Sequence, residues 1–326
     1  MALIVQKLLH YYIAIKSISL TSHIPPVQLT MLLSKLPERS FNNMIALIKK
    51  NLKIYFANKI GVLMSCLGAL ISFFIYIGFL QQNLISSWQS LPHTKEMLGL
   101  WMISGIVAIA GITTSFQALG QLVKDRESRT WDDLSLTDLT PFQINCSYLT
   151  ATIFISTLMQ IITFFIMAVY FILVDSITIP TTALLLGLFF IVLGAIGASA
   201  VNLIIVDLIH SSTTFSRLSA IIGAASGFMI ATYMPYGTLS KSAQFVVKLF
   251  PSSYEAASLR SLLLNKLSKK FLPPSSRYQM IEYLGIHFKI HGYQLNNYSN
   301  ALMIVGMSIV LIDLGAVWAN RYQRKS

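Results

Sequence analysis

Long uncharged apolar runs alternate with short polar stretches along most of the chain. A helix needs about 20 apolar residues to cross a bilayer. Six runs approach that length, over 60–80, 98–119, 149–174, 182–206, 218–234 and 301–319. The fifth is the shortest and rich in small residues; the sixth contains Asp313. Backbone polar groups in lipid must be satisfied within their own segment, so runs of this length predict helices. Ahead of the first run the pattern changes. Ile45, Leu47, Ile48, Leu52, Ile54, Tyr55 and Phe56 recur at helical spacing among lysines. That spacing predicts an amphipathic helix over 44–59, lying on a membrane surface.

Composition supports an integral membrane protein with an all-α, polytopic fold of six transmembrane helices. Of 326 residues, 55% are hydrophobic and only 11% are charged. A soluble domain carries about 25% charged residues. So few charged groups could not clothe a water-soluble globule of this size. The net charge is +12, from 24 Lys+Arg against 12 Asp+Glu. In a soluble protein that excess would suggest nucleic acid. Here it is read as cytoplasmic loops facing anionic membrane lipids, with no nucleic-acid partner.

The placement of the basic residues sets the expected orientation. Lys49, Lys50, Lys53 and Lys59 precede the first run, Lys124, Arg126 and Arg129 lie between the second and third, and Arg321, Arg324 and Lys325 sit in the tail 320–326. The loops on the other side, 81–97 and 175–181, hold only Lys95. Both termini are therefore expected in the cytoplasm of a cell-membrane protein. Segment 235–300 is expected outside, although it carries eight Lys or Arg. The rule is weak for long loops.

Residues 1–43 form an N-terminal extension outside this scheme. Residues 1–20 are apolar but interrupted by Lys7, His10 and Lys16, which suits neither a signal peptide nor a span. Pro25 and Pro26 break any helix there. Glu38-Arg39-Ser40 back-translates to a purine-rich ribosome-binding sequence a few codons before Met44. Either translation starts at Met44 or the extension is an interfacial anchor helix.

Motifs for soluble chemistry are missing. The chain has no G-x-x-x-x-G-K-[ST], G-x-S-x-G, H-E-x-x-H or G-x-G-x-x-G, and its two cysteines and six histidines show no metal-ligand spacing. No catalytic residue, cofactor or metal is expected. Asp313 is the one carboxylate well inside a run, either a proton relay or a group paired near a helix end; Asp175 and Asp207 mark run ends. Gly223 and Gly227 form a G-x-x-x-G, and Gly194, Gly197, Ala198 and Ala200 a second small face. Such faces let helices approach closely, either between subunits or within one.

The most distinctive segment is loop 120–147, GQLVKDRESRTWDDLSLTDLTPFQINCS. Thr130 followed by Asp133 predicts a capping box, with Asp132 and Asp133 favoured by the helix dipole. Thr140-Pro141-Phe142-Gln143 predicts a second helix start, with Pro at the first helical position. A short amphipathic helix across the membrane face follows, carrying Trp131 and Leu134. A solvated loop with an interfacial Trp is the plainer alternative.

These segments together resemble the permease subunit of type-2 ABC transporters, in the style of Gram-positive bacteria. The stretch MIALIKKNLKIYFANKIGVLMS, from Met44, resembles that family's basic connecting helix leading into its first span. Glu127, Thr130, Asp132, Leu134 and the Thr140-Pro141 pair resemble its cytoplasmic coupling segment, with Arg129 in the place of a common Gly. MPYGTLSKSAQFVVKLFPSSYEAASLR resembles the segment after its fifth span, with Pro235, Phe250-Pro251, Tyr254 and Arg260 fitting. In the family that segment forms short helices dipping back into the outer leaflet.

The resemblance implies an exporter half with a transmembrane domain over 60–319. A separate ABC ATPase subunit would push on Glu127, Thr130, Trp131, Asp132, Asp133, Leu134 and Pro141. A second permease subunit, identical or different, would complete the path, with Gly223 and Gly227 candidates for that contact. A membrane-embedded lipid-modifying enzyme would need polar groups clustered at one face. An ion-coupled carrier would need interrupted helices and buried charge.

Overall fold

The computed structural model describes residues 26–88, 92–290 and 292–323, with side chains within 40–315. The readings of residues 1–25 and of Arg324 and Lys325 lie outside the described residues. The first helix, α1 (Pro26–Ala57), begins well ahead of the expected 44–59. Its Leu47 and Asn51 turn into the bundle, while Ile54 and Phe56 stay exposed. Asn58 then ends the helix and starts the next, its side chain accepting a hydrogen bond from the Gly61 amide at 2.9 Å.

The first apolar run is interrupted rather than straight. It comprises α2 (Lys59–Ser65), α3 (Leu67–Ile75), a π-helical turn at Tyr76–Leu80, and α4 (Gln81–Ser87). The π turn directs Tyr76 fully inward, where its ring meets Phe171 at 6.0 Å. A π turn inside an α-helix commonly marks a place where a side chain is re-aimed.

At the centre stands α5 (Thr94–Glu127), whose apolar stretch is entirely covered by protein. A helix that is hydrophobic all round belongs in the middle of a bundle. Against it pack α7 (Pro141–Asp175), α8 (Thr182–Asp207), α9 (Ser212–Met229) and α11 (Pro251–Phe271). Close approach depends on glycine here. A Cβ at Gly111 would meet the Gln160 amide of α7 at 2.7 Å, and one at Gly120 would meet the Phe215 ring of α9 at 2.6 Å. Polar side chains hold the seam: Asn202 donates to the Ile112 carbonyl and the Ser115 hydroxyl, each at 2.8 Å.

Five helices are long and apolar enough to cross a membrane: Leu67–Ser87, Thr94–Glu127, Pro141–Asp175, Thr182–Asp207 and Asn297–Gly315. The chain is thus an all-α protein with the make-up of a multi-pass membrane protein. The run at 218–234 is not among the five. Its helix, α9, ends at Met229 after 18 residues, and the chain reverses through Ala231 at φ 53.

Segment 235–300 carries a 3-10 turn (Tyr236–Thr238), α10 (Lys241–Lys248), α11, and α12 (Pro274–Tyr283). A two-stranded antiparallel hairpin, β1 (Lys289–Ile290) with β2 (Tyr293–Gln294), precedes the last helix, α13 (Asn297–Gln323). Hydropathy alone did not mark α11 as a core helix. Every residue from 251 to 260 is buried, in a groove between α5, α8 and α13. The small face of α8 accommodates it, with Pro251 against Gly197 and Leu259 against Gly187. That face is used within the chain.

Candidate functional site

The loop between α5 and α7 lies at the basic end of the bundle. Three acidic groups fix the helix ends around it. Asp125 accepts from Lys50 at 3.2 Å, from Gln121 at 2.6 Å and from the Tyr148 hydroxyl, tying α1, α5 and α7 together. Asp207 at the end of α8 pairs with Arg126 at 2.8 Å. Glu127 accepts from the Ser212 amide at 3.0 Å and from the Ser212 hydroxyl. It therefore holds the start of α9.

The loop helix is α6 (Thr130–Ser135), between α5 and α7 as expected. Its start differs from the sequence expectation. The capping residue is Arg129, in the left-handed region at φ 60, and no side chain caps the helix. Thr130 is already helical, and its hydroxyl pairs with Ser128 at 2.9 Å, so the Thr130–Asp133 capping box is absent. The second expected start is present. Thr140 accepts from the Gln143 amide, Gln143 accepts from the Thr140 amide at 2.9 Å, and Pro141 opens α7.

The side chains of α6 divide into two faces. Trp131 and Leu134 are half-buried against the bundle core. Asp132 and Asp133 are exposed on the other side. Just beyond the helix, Leu136 is 86% exposed, and Phe142 is 61% exposed at the start of α7. Trp131 and Leu134, expected among the residues that take a partner's push, turn toward the bundle, and the exposed apolar side chains are Leu136 and Phe142. Helical phase from Trp131 would have shown that Leu136 cannot share its face.

The two glycines of α9 behave differently. A Cβ at Gly68 of α3 would meet the Gly223 carbonyl at 3.0 Å and its Cα at 3.4 Å, so α3 and α9 nearly touch there. A Cβ on Gly223 itself would meet nothing within 4 Å. The Gly227 position faces the Tyr233 ring. Gly227 thus serves a contact inside this chain, while Gly223 offers only its backbone to α3 and leaves its own Cβ side open. Asp313 is exposed on α13.

Two ionisable residues are buried on α11, Arg260, which the sequence marked only through the family resemblance, and Glu255, which it did not mark. Arg260 is fully buried. Its guanidinium lies 5.0 Å over the Trp101 ring and donates to the carbonyls of Leu284 at 3.3 Å and Ala231 at 3.2 Å. Trp101 donates to the same Leu284 carbonyl at 2.9 Å. Carbonyl dipoles and an aromatic face together replace the water this cation loses. Glu255, one helical turn above the Pro251 start, is fully buried, and neither carboxyl oxygen has a hydrogen-bond partner among the described residues. Burial pushes its carboxyl well above the ordinary carboxylate range. The expectation that 235–300 lies outside hid the burial of Glu255. The apolar and small neighbours of Glu255, in YEAASL, are the signal of a helix buried on all sides.

Among the described residues no group of three or more His, Cys, Asp or Glu side chains is placed to hold a metal ion. Comparison with protein-family models finds no match, and comparison with curated proteins finds none either.

Proposed function

We propose that the chain is the membrane-spanning permease subunit of an ATP-driven exporter, resembling type-2 ABC transporters, and that it lines the cargo path. It works as one of a pair of permease subunits, identical or different. It sits in the cell membrane with its basic end and both termini in the cytoplasm, a placement supported by the lysine and arginine asymmetry. ATP hydrolysis belongs to a separate subunit, and the chain itself is not an enzyme. Segment 236–294 then dips into the outer half of the membrane beside α9, which makes the sixth crossing.

The observation that carries this proposal is α6. It is a short helix held between the ends of two long apolar helices, α5 and α7, and backed by half-buried Trp131 and Leu134. A push on its outer face, at Asp132, Asp133 and Leu136, passes directly into both spans. Apolar contact at Leu136 would supply affinity, and the carboxylates would select a basic partner surface. The test is co-purification of the ATPase with wild-type chain and with Leu136→Asp combined with Asp133→Ala. Loss of the ATPase, with insertion intact, supports the proposal. Full retention and unchanged cargo-stimulated hydrolysis would refute it.

One observation favours a second reading. Glu255 is a buried carboxyl without a partner, the kind of group an ion-coupled carrier uses. Transport that continues without ATP, and collapses when a proton gradient is discharged, would select that reading.

A further inference from the structure

At the basic end a cleft of about 70 Å³ opens between α1, α2, α5 and α9. A buried water needs about 10–15 Å³ by the same measure, so the cleft has room for a polyatomic group. Its polar lining comes from Asn51, Asn58, Gln117, Gln121 and Lys124, with Phe215 at one wall. Among the described residues no carboxylate lines it.

The hydrogen bonds around the cleft decide what it presents. The Asn58 amide oxygen is occupied by the Gly61 N–H, and the Gln117 amide oxygen by the Ser219 hydroxyl at 3.3 Å. Their NH2 groups are left for the cleft. Ser65 donates to the Val62 carbonyl, so the Tyr55 hydroxyl donates to Ser65 and offers no proton to a ligand. Asn51 is the second, independent mark. It is only 5% exposed, yet neither its amide nitrogen nor its amide oxygen has a partner among the described residues. A buried amide left unpaired is costly, and in a polar cleft it signals a missing ligand. Lys124 at the rim is exposed and adds a positive charge.

We infer that this cleft binds a phosphate group, held by the amide NH2 groups of Asn51, Asn58 and Gln117 and by the Lys124 ammonium. The chemistry fits: the NH2 groups of three amides stand with one cation, against the single amide oxygen of Gln121, whose NH2 is given to Asp125 at 2.6 Å, and a phosphate carries several acceptor oxygens. Two sources share that chemistry, a phospholipid headgroup and a soluble phosphate. The exposed apolar side chains of Ile60, Leu63 and Met64 on adjoining α2 suit the chains of a lipid. The site requires only that the bundle sits in a bilayer, and it stands whether or not the chain works with an ATPase.

The test is native mass spectrometry of the full-length protein in neutral detergent. The probes are dioleoyl phosphatidylglycerol, dioleoylglycerol (the same chains without phosphate) and inorganic phosphate. Wild type should retain the phospholipid and not dioleoylglycerol. Lys124→Ala should lower retention about fivefold, the effect of one basic residue at a membrane surface, and Lys124→Arg should restore it. Asn51→Asp, which aims a carboxylate at the ligand, should abolish it. Lys124 is exposed, so its variants keep the test valid if Asn51→Asp fails to fold. Binding of inorganic phosphate with the same dependence on Lys124, without phospholipid retention, would support the phosphate site with a soluble source. Retention that ignores Lys124 and Asn51, equal retention of dioleoylglycerol, or no binding of either phosphate ligand would overturn it.

Discussion

The carboxyl of Glu255 occupies the space that a side chain at Gly194 would need. One residue lies on α11 and the other on α8, so this notch is where the two helices come closest to sharing volume. Gly194→Ala should therefore force the helices apart or displace the carboxyl, costing about 1–3 kcal/mol as overpacking does. Thermal unfolding in detergent checks it. In the double variant with Glu255→Ala the penalty should shrink, because the added methyl then has somewhere to go. Additive effects would show that the two positions do not share that space.

Glu255 also gives stability a pH dependence of definite sign. Its folded value is raised above the ordinary 4.5. Between those two values the folded chain keeps a proton that the unfolded chain has released. Stability then falls as pH rises, by up to about 1.4 kcal/mol per pH unit. Melting temperature should decline as pH rises above 4.5 in wild type. Glu255→Gln, which keeps the shape without the charge, should flatten that decline. An unchanged slope would assign it to other groups.

Arg129 carries a backbone strain that glycine would remove. A non-glycine residue in the left-handed region costs about 1 kcal/mol, and Arg129 holds φ 60 at the start of α6. It is exposed, so its side chain can be deleted without opening the core. Arg129→Gly should stabilise the loop by up to about 1 kcal/mol, less the added freedom of the unfolded chain. Hydrogen exchange in α6 should slow. Faster exchange would mean that the arginine side chain holds the turn.

Much of this architecture can be read from residue pattern, and the failures have physical causes. The long uncharged runs at 98–119, 149–174 and 182–206 fall inside α5, α7 and α8, because run length alone demands helix in lipid. The Thr140–Gln143 cap was legible because it is wholly local. The Thr130 cap was not, since it required Thr130 in an extended conformation ahead of the helix, and the turn at Arg129 draws Thr130 into the first helical turn. The run at 218–234 yields a shorter helix than its apolar length suggests, for a related reason. The run 218–234 is apolar, but Ala231 reverses the chain inside it, and the depth is filled by α11 from a segment that reads as polar. Hydropathy averages over faces and cannot see that Arg260 has carbonyls and a Trp ring waiting for it. The roles of Trp131 and Leu136 depend on which face of α6 meets the bundle, and that face is chosen by contacts far away in sequence.

The last prediction separates two glycines that the sequence makes look equivalent. Gly223 and Gly227 stand one turn apart on α9, and a G-x-x-x-G suggests that both face a partner helix. The geometry distributes the work differently. The tight position at the α3–α9 crossing is Gly68, whose Cβ would meet Thr113 at 2.6 Å and the Gly223 backbone at 3.0 Å. Gly68→Ala should therefore lower stability by about 1–3 kcal/mol. Gly223→Ala should cost nothing through packing and gain slightly in helix propensity, since its Cβ points into open space. Gly227→Ala should be destabilising, because the Tyr233 ring covers that position. Thermal unfolding of the three single variants in detergent ranks them directly. If Gly223→Ala is instead the most damaging, and also disrupts association of purified subunits, that open face is where a second permease subunit packs. Stability loss at Gly68 without any change in subunit association would confine the small-residue contact to a single chain.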